Sequence, residues 1–378
     1  MPDRKRAIID VYQSIVEPQD LWTKRLASKL SPRGPKVADL PNGGQGWSFD
    51  DGAVLLPLAN FLLVERPADR PVLVTNSYKT MRPGCHDPRE RVKDLDADGI
   101  DTALLFPLVG QHLQQIEDAE LYEACVQAYN DGVGDWCRAG GAGRLKPAAI
   151  VPLLGGEKAG AEVRRVAAKG FKAVLFTGWP NGAGPDAADD RFWGAIEETQ
   201  MVLCFNSGGT PRGRAAAAGA GRQARVLGKA PLEVLINNIA SGNGAPQVVG
   251  RLALRGVFER FPKLKVCYSG TGASWMPYFL EQVDGMYYHD RFYAGFGSRM
   301  LPSEYIKRNT RLSFHLDTNA VRNLDEIGPD YLMWCSLFPL ETCDWPNSRL
   351  LIDTQLRDVA EAQRRLILVD NAADYFGI

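Results

Sequence analysis

Short apolar runs separated by helical patterns recur along almost the whole chain, and few architectures accommodate such an alternation. It is the mark of repeated βα units that assemble a parallel sheet. Eight strands are expected: Ala7–Val11, Thr102–Phe106, Lys146–Val151, Phe171–Phe176, Met201–Phe205, Leu264–Tyr268, Arg311–Phe314 and Tyr331–Cys335. Most are near-continuous hydrophobic runs, as strands covered on both faces require. The helices between them carry their own punctuation. Asp87 reads as an N-cap, Pro88 as the first helical residue, Glu90 as the closing partner of a capping box, and Gly99 as a stop. Further helices are expected from Glu117 to Ala139, from Glu157 to Lys169 and from Asp190 to Thr199. Eight strands with intervening helices favour an α/β fold of the (β/α)8 TIM-barrel type over an open sheet. No GxGxxG or P-loop string opens a helix, so a dinucleotide-binding fold has no support.

Residues 1–378 fit one such barrel as a single domain. Three stretches break the alternation. Residues 16–86 separate the first two strands, too long a span for a structureless loop, and read as an insertion capping one end of the barrel. Residues 207–222 are small and basic, and Asn237–Gly250 reads as a broken helix or lid.

Composition excludes several function classes. A formal net charge of −1 gives no broad positive field of the kind non-specific nucleic-acid binding needs. No run approaches the roughly 18 to 20 apolar residues that cross a bilayer. The basic start, Met1 to Arg6, is followed by only Ala7–Ile8–Ile9 before Asp10, too short for the core of a signal peptide. Seven scattered cysteines, none in a CxxC pair, read as reduced thiols of a cytoplasmic protein.

In a parallel barrel, chemistry sits at the C-terminal ends of the strands. Those positions hold Tyr12, Ser14, Thr177, Asn206, Ser269, His315 and Ser336, a polar set with one histidine and no carboxylate. Several strings then resemble one family. The opening Ile9–Asp10–Val11–Tyr12–Gln13–Ser14 with Asp20–Leu21–Trp22 is similar to its first strand and following loop, and Asp87 to Pro107 to its second βα unit. Arg260–Phe261–Pro262, Trp275–Met276–Pro277–Tyr278, Pro302–Ser303–Glu304–Tyr305, Trp334–Cys335–Ser336 and Asn371–Ala372–Ala373 match its later parts. The family is that of the metal-dependent amidohydrolases of the amidohydrolase-related group, which includes decarboxylases of aromatic and unsaturated acids. The resemblance implies a barrel of the metal-dependent hydrolase type, with one or two divalent metals held by an (acid or His)-x-His pair on the first strand. It further implies a histidine after the fifth strand, a histidine or glutamate after the sixth and an aspartate after the eighth.

The matching positions here are Tyr12 and Ser14, then Asn206, then Ser269 with Gly270, then Leu337, with Leu340 just beyond. Divalent metals want carboxylate, imidazole or thiolate ligands. No standard metal site is therefore expected in this chain, and Leu337 and Phe338 join Ser14, Thr177 and Ser269 as expected pocket lining.

Other residues carry competing readings. His315 beside Asp317 reads as an acid/base group or as a hydrogen-bonded structural histidine. Cys335 reads as a nucleophile or, with no histidine near it in sequence, as an inert buried thiol. Glu341, Cys343 and Asp344 with His86 or His112 would make a non-standard metal site, and His289 reads as a surface cation near a helix end. Arg212, Arg214, Arg222 and Arg225 suit either a carboxylate grip or a solvated loop.

Three functions compete. The first expectation is an accessory subunit beside a metal-bearing amidohydrolase-fold paralogue, otherwise a homodimer. It resembles the two-subunit amidohydrolase-fold monooxygenase, in which one subunit holds a dinuclear manganese/iron site that hydroxylates an aliphatic amino acid. On this reading the chain has no cofactor of its own and Mn/Fe belongs to the partner. The alternative is a metal-independent, lactonase-like hydrolase or a decarboxylase of a small carboxylic acid, using His315, Asn206 and Tyr12. The third is a small-molecule binding protein.

Overall fold

In a computed structural model of the chain, residues 7–41, 44–58, 77–141, 143–182, 184–206, 244–295, 297–340 and 342–378 are described. All eight expected segments contain strands. They are β1 (Ile9–Ile15), β5 (Thr102–Pro107), β6 (Leu145–Ala149), β7 (Ala173–Leu175), β8 (Val202–Phe205), β9 (Lys265–Tyr268), β10 (Thr310–Phe314) and β11 (Leu332–Trp334). They pair in parallel in the order β1-β5-β6-β7-β8-β9-β10-β11. Sheet edges meet where Ser14 N donates to Phe338 O at 2.7 Å and Leu337 N to Tyr12 O at 3.2 Å. The result is a nearly closed (β/α)8 barrel.

β1 departs most from expectation. It does not stop at Val11 but continues to Ile15, with all seven residues buried. The polar side chains of Asp10 and Gln13 find partners inside the protein, so nothing forces the strand to end at them. Tyr12 and Ser14 consequently lie within the strand.

Helix ends follow the local chemistry. Asp87 accepts from Arg89 N and Glu90 N, Pro88 opens α1 (Pro88–Asp98), and Gly99 closes it at φ +71°. The reciprocal half of the expected capping box is replaced, because the Glu90 carboxylate pairs with Lys93 at 2.6 Å. α2 (Ala119–Ala139) begins two residues later than expected, since the Asp118 carboxylate takes Glu120 N and Leu121 N as their cap. The third helix spans Gly156–Ala167 and the fourth Asp190–Thr199.

Within residues 16–86, β2 (Lys36–Asp39), β3 (Gln45–Phe49) and β4 (Val54–Pro57) form a small antiparallel sheet. Trp47 of β3 is fully buried against Trp22, their ring centroids 5.1 Å apart. The expected basic stretch at 207–222 lies outside the described residues. Of the expected lid at Asn237–Gly250, the described part belongs to a regular helix, Gly244–Leu254. Among the described residues no helix is long and apolar enough to cross a membrane.

Candidate functional site at the barrel mouth

The inner wall of β1 is held by a polar clasp beneath the mouth. Asp10 Oδ1 accepts from Tyr12 N at 3.0 Å and from Ser336 N at 3.1 Å, and Oδ2 accepts from Gln13 Nε2 at 2.8 Å. Gln13 Oε1 in turn accepts from Arg91 Nη1 at 3.3 Å. Arg91, fully buried, also donates to Gly84 O at 2.6 Å and to Ser14 O at 2.8 Å, and its guanidinium stacks 4.8 Å from the centre of the Phe338 ring. Burial pushes the Asp10 carboxyl up to about 6, against the pull of its hydrogen bonds to Ser336, Gln13 and Tyr12. The clasp ties the first strand to the segment after the last and so fixes where Tyr12 and Leu337 stand.

Above the clasp, Asn206 Nδ2 donates to Tyr12 Oη at 2.8 Å. Tyr12 lies on the first strand of the eight-strand order and Asn206 just past the fifth, on opposite sides of the barrel, so this bond crosses the interior. The Tyr12 ring rests on Phe106, centroids 4.8 Å apart. Gly270, just past β9, has φ +71°, and a Cβ there would stand 2.8 Å from Leu337 Cδ2 and 3.4 Å from Tyr12 Cδ1. Leu337 itself is held at φ +65°, a left-handed conformation that costs an L-residue roughly 1–2 kcal/mol. Tyr12, Asn206, Gly270 and Leu337 thus meet at one point.

A divalent metal does not fit this set. A phenol, a neutral amide, a glycine and a leucine offer no carboxylate, imidazole or thiolate. Among the described residues no three His, Cys, Asp or Glu side chains stand close enough to share an ion.

The remaining expected residues distribute as follows. Ser14 is buried and its Oγ has no hydrogen-bond partner among the described residues. Ser269 Oγ lies 3.4 Å from Cys267 Sγ. Thr177 is buried just past β7. Phe338, 1% exposed, packs on Arg91. His315 finds its carboxylate in Asp344, Nε2 to Oδ2 at 3.0 Å, and not in the adjacent Asp317. Asp317 instead accepts from Ala273 N, Ser274 N and Ala320 N. Burial lowers the pKa of His315, with Asp344 pulling the other way.

Cys335 is fully buried and its thiol is pushed well above the usual range, as an inert thiol requires. Cys343 is pushed up to about 12 by burial. Glu341, Arg212, Arg214, Arg222 and Arg225 lie outside the described residues. His289 is exposed in the last turn of the helix Met276–Asp290.

Sequence reasoning missed Asp10, Arg91 and Glu17. Glu17, fully buried, accepts from Val109 N at 2.9 Å and Gly110 N at 2.7 Å, and burial pushes it up to about 7. It ties the loop after β1 to the turn after β5. Asp10 had one visible signal, a carboxylate inside the otherwise apolar run Ala7–Val11.

The model of the family described as Amidohydrolase matches residues 28–378. Among curated proteins none matches. Solved structures share the fold. An amidohydrolase from Mycobacterium avium subsp. paratuberculosis K-10 superposes with a TM-score of 0.76 at 22% identity, covering 98% of each chain. The 5-carboxyvanillate decarboxylase of Sphingomonas paucimobilis gives 0.68 at 20% identity over 99% of each chain. A dihydroxybenzoic acid decarboxylase from Polaromonas sp. JS666, with bound manganese and the inhibitor 2-nitroresorcinol, gives 0.63 at 17% identity over 98% of this chain and 97% of that one.

Proposed function

This chain belongs to the amidohydrolase family, and on that premise we propose that it is a decarboxylase of a small aromatic or unsaturated carboxylic acid, working at the barrel mouth without a resident divalent metal. The observation that carries the reading is the Tyr12–Asn206 hydrogen bond, packed with Leu337 against Gly270 where the family resemblance puts metal ligands. That two of the compared barrels are decarboxylases of aromatic acids supports the reaction class.

Loss of carbon dioxide breaks the bond between the carboxylate and its carbon. The electron pair stays on that carbon, spread into the substrate's own π system, and a proton must arrive there. Tyr12 supplies it. Asn206 Nδ2 donates to the phenol oxygen and so stabilises the phenolate that remains, until solvent returns the proton. The balance is R–COO⁻ plus H⁺ giving R–H plus carbon dioxide. A positioned acid of this kind contributes about 10² to 10⁴-fold. A lactonase-like hydrolysis would need several donors aimed at an oxyanion, and with one Asn206 N–H engaged by Tyr12 only the second N–H of that amide is left to serve as one.

Leu337 and Gly270 favour one other reading: a silent barrel accompanying a metal-bearing paralogue, with Mn/Fe held in that partner of a hydroxylase. The test is carbon dioxide release from a panel of hydroxylated aromatic acids by the purified chain. Turnover that falls at least tenfold in both Tyr12→Phe and Asn206→Ala supports the decarboxylase reading. Turnover unchanged in both variants overturns the residue assignment. An inert chain that raises the turnover of an added metal-bearing paralogue moves the conclusion to the accessory role.

A further inference from the structure

Both backbone groups of Ser14 on β1 are committed: its N–H donates to Phe338 O at 2.7 Å and its carbonyl accepts from Arg91 Nη2 at 2.8 Å. The side chain is not. Ser14 is 1% exposed, and its Oγ meets neither donor nor acceptor among the described residues. A hydroxyl shut away from water without a partner carries a folding penalty that an alanine of nearly the same size would not. Of the buried side-chain polar atoms in that condition, it is the one on the strand that carries Tyr12.

Strand geometry says where the hydroxyl stands. Ser14 is in register with Phe106 of β5, and registered neighbours in a parallel pair point to the same side. The Phe106 ring lies against the Tyr12 ring, whose hydroxyl reaches across the barrel to Asn206, so that side is the interior. Gln13, between Tyr12 and Ser14, meets Arg91 of α1 instead. Ser14 is therefore on the inner wall, two residues nearer the opening than Tyr12, about 6–7 Å along the strand.

The opposite wall continues the same chemistry. Leu175, Cys204 and Cys267 are registered neighbours across β7, β8 and β9. Two residues beyond each, on the same side, stand Thr177, Asn206 and Ser269. The row is hydrogen-bonding and uncharged. Ser14 Oγ can itself give one hydrogen bond and accept others. A carboxylate would take only the donated one and would bring its charge to a row that holds no cation. An alcohol or phenol oxygen gives and accepts at once.

The inference rests on the decarboxylase reading, in which Tyr12 delivers a proton to the carbon that loses carbon dioxide. We propose that Ser14 selects the substrate by exchanging hydrogen bonds with a hydroxyl carried on the acid. The backbone bonds on either side of it hold the serine in place before the ligand arrives, so little further ordering is needed on binding. An acid without the hydroxyl fills the same space and leaves Ser14 unpaired, which is how a site built for a hydroxyl rejects its absence.

The test is isothermal calorimetry on the purified chain with 2-hydroxybenzoate and with benzoate, alongside urea unfolding without ligand. Wild type should bind the hydroxylated acid about tenfold tighter, and Ser14→Ala should bind the two alike. Without ligand, Ser14→Ala should unfold at a higher urea midpoint than wild type, because it buries no unpaired hydroxyl. A wild type that binds neither acid or both alike, a variant that keeps the preference, or a variant with a lowered midpoint (the sign of a hydroxyl occupied by structural water) would each overturn the proposal. Binding is read without turnover, so the two readings fail separately. An inert chain with the expected binding pattern keeps the role of Ser14 and removes the decarboxylase; turnover that depends on Tyr12 without any hydroxyl preference does the reverse.

Discussion

Replacing Gly270 by alanine measures how tightly the barrel mouth is closed. The backbone there is at φ +71°, where any L-residue costs about 1–2 kcal/mol. The new Cβ would lie 2.8 Å from Leu337 Cδ2, well inside the roughly 3.5–4.0 Å of a good carbon contact. Overpacking of this kind costs about 1–3 kcal/mol, toward the low end here because the opposing atom is the tip of a leucine. The sum is about 2–4 kcal/mol for Gly270→Ala. Leu337→Ala removes the opposing methyls, so Gly270→Ala in that background should cost only the backbone share, about 1–2 kcal/mol. Urea unfolding of wild type, both single variants and the double variant gives the coupling as a mutant cycle. A coupling of about 1–2 kcal/mol is expected, and one below about 0.5 kcal/mol would refute the contact between Leu337 and Gly270.

The two buried carboxyls set a pH signature. Asp10 rises from 3.8 to about 6 and Glu17 from 4.5 to about 7, so the folded state holds their protons more tightly than the unfolded chain. Their contribution to stability is complete below about pH 4 and is lost as pH rises through 6 and 7. Compared with Glu17→Gln, the wild type should lose about 3 kcal/mol more between pH 5 and pH 8, read from urea midpoints; parallel curves would contradict the assignment. Arg91→Lys keeps the charge but cannot serve Gly84 O, Ser14 O and Gln13 Oε1 together. Each buried acceptor left unpaired costs about 1–3 kcal/mol, so a clear fall in the urea midpoint is expected, and an unchanged midpoint would remove Arg91 from the clasp.

The barrel was legible because its strands are mostly buried and therefore read largely as apolar runs. Strand ends were less so. Val202–Phe205 fell almost where its composition put it, whereas β1 ran on to Ile15 because the partners of Asp10 and Gln13 come from Ser336 and Arg91, far away in the chain. Tyr12, Asn206 and Leu337 were visible through the family's order of segments, but their meeting point was not, since the Tyr12–Asn206 bond joins opposite walls. Arg91 sits in a run of charged residues, Arg89–Glu90–Arg91–Val92–Lys93, that looks like a solvated helix face, and only packing shows it to be fully buried. His315 was paired in sequence with Asp317, yet Asp317 is committed to backbone amides and Asp344 reaches the imidazole instead.

Metal content is the most direct test of the claim that this mouth works without a divalent ion. The purified chain is incubated with manganese, desalted and analysed by mass spectrometry of the elements, with carbon dioxide release followed before and after a chelator. Tyr12, Asn206, Gly270 and Leu337 predict no stoichiometric metal and a turnover indifferent to chelation. A single tightly held ion per chain, with activity that disappears on its removal, would contradict the account.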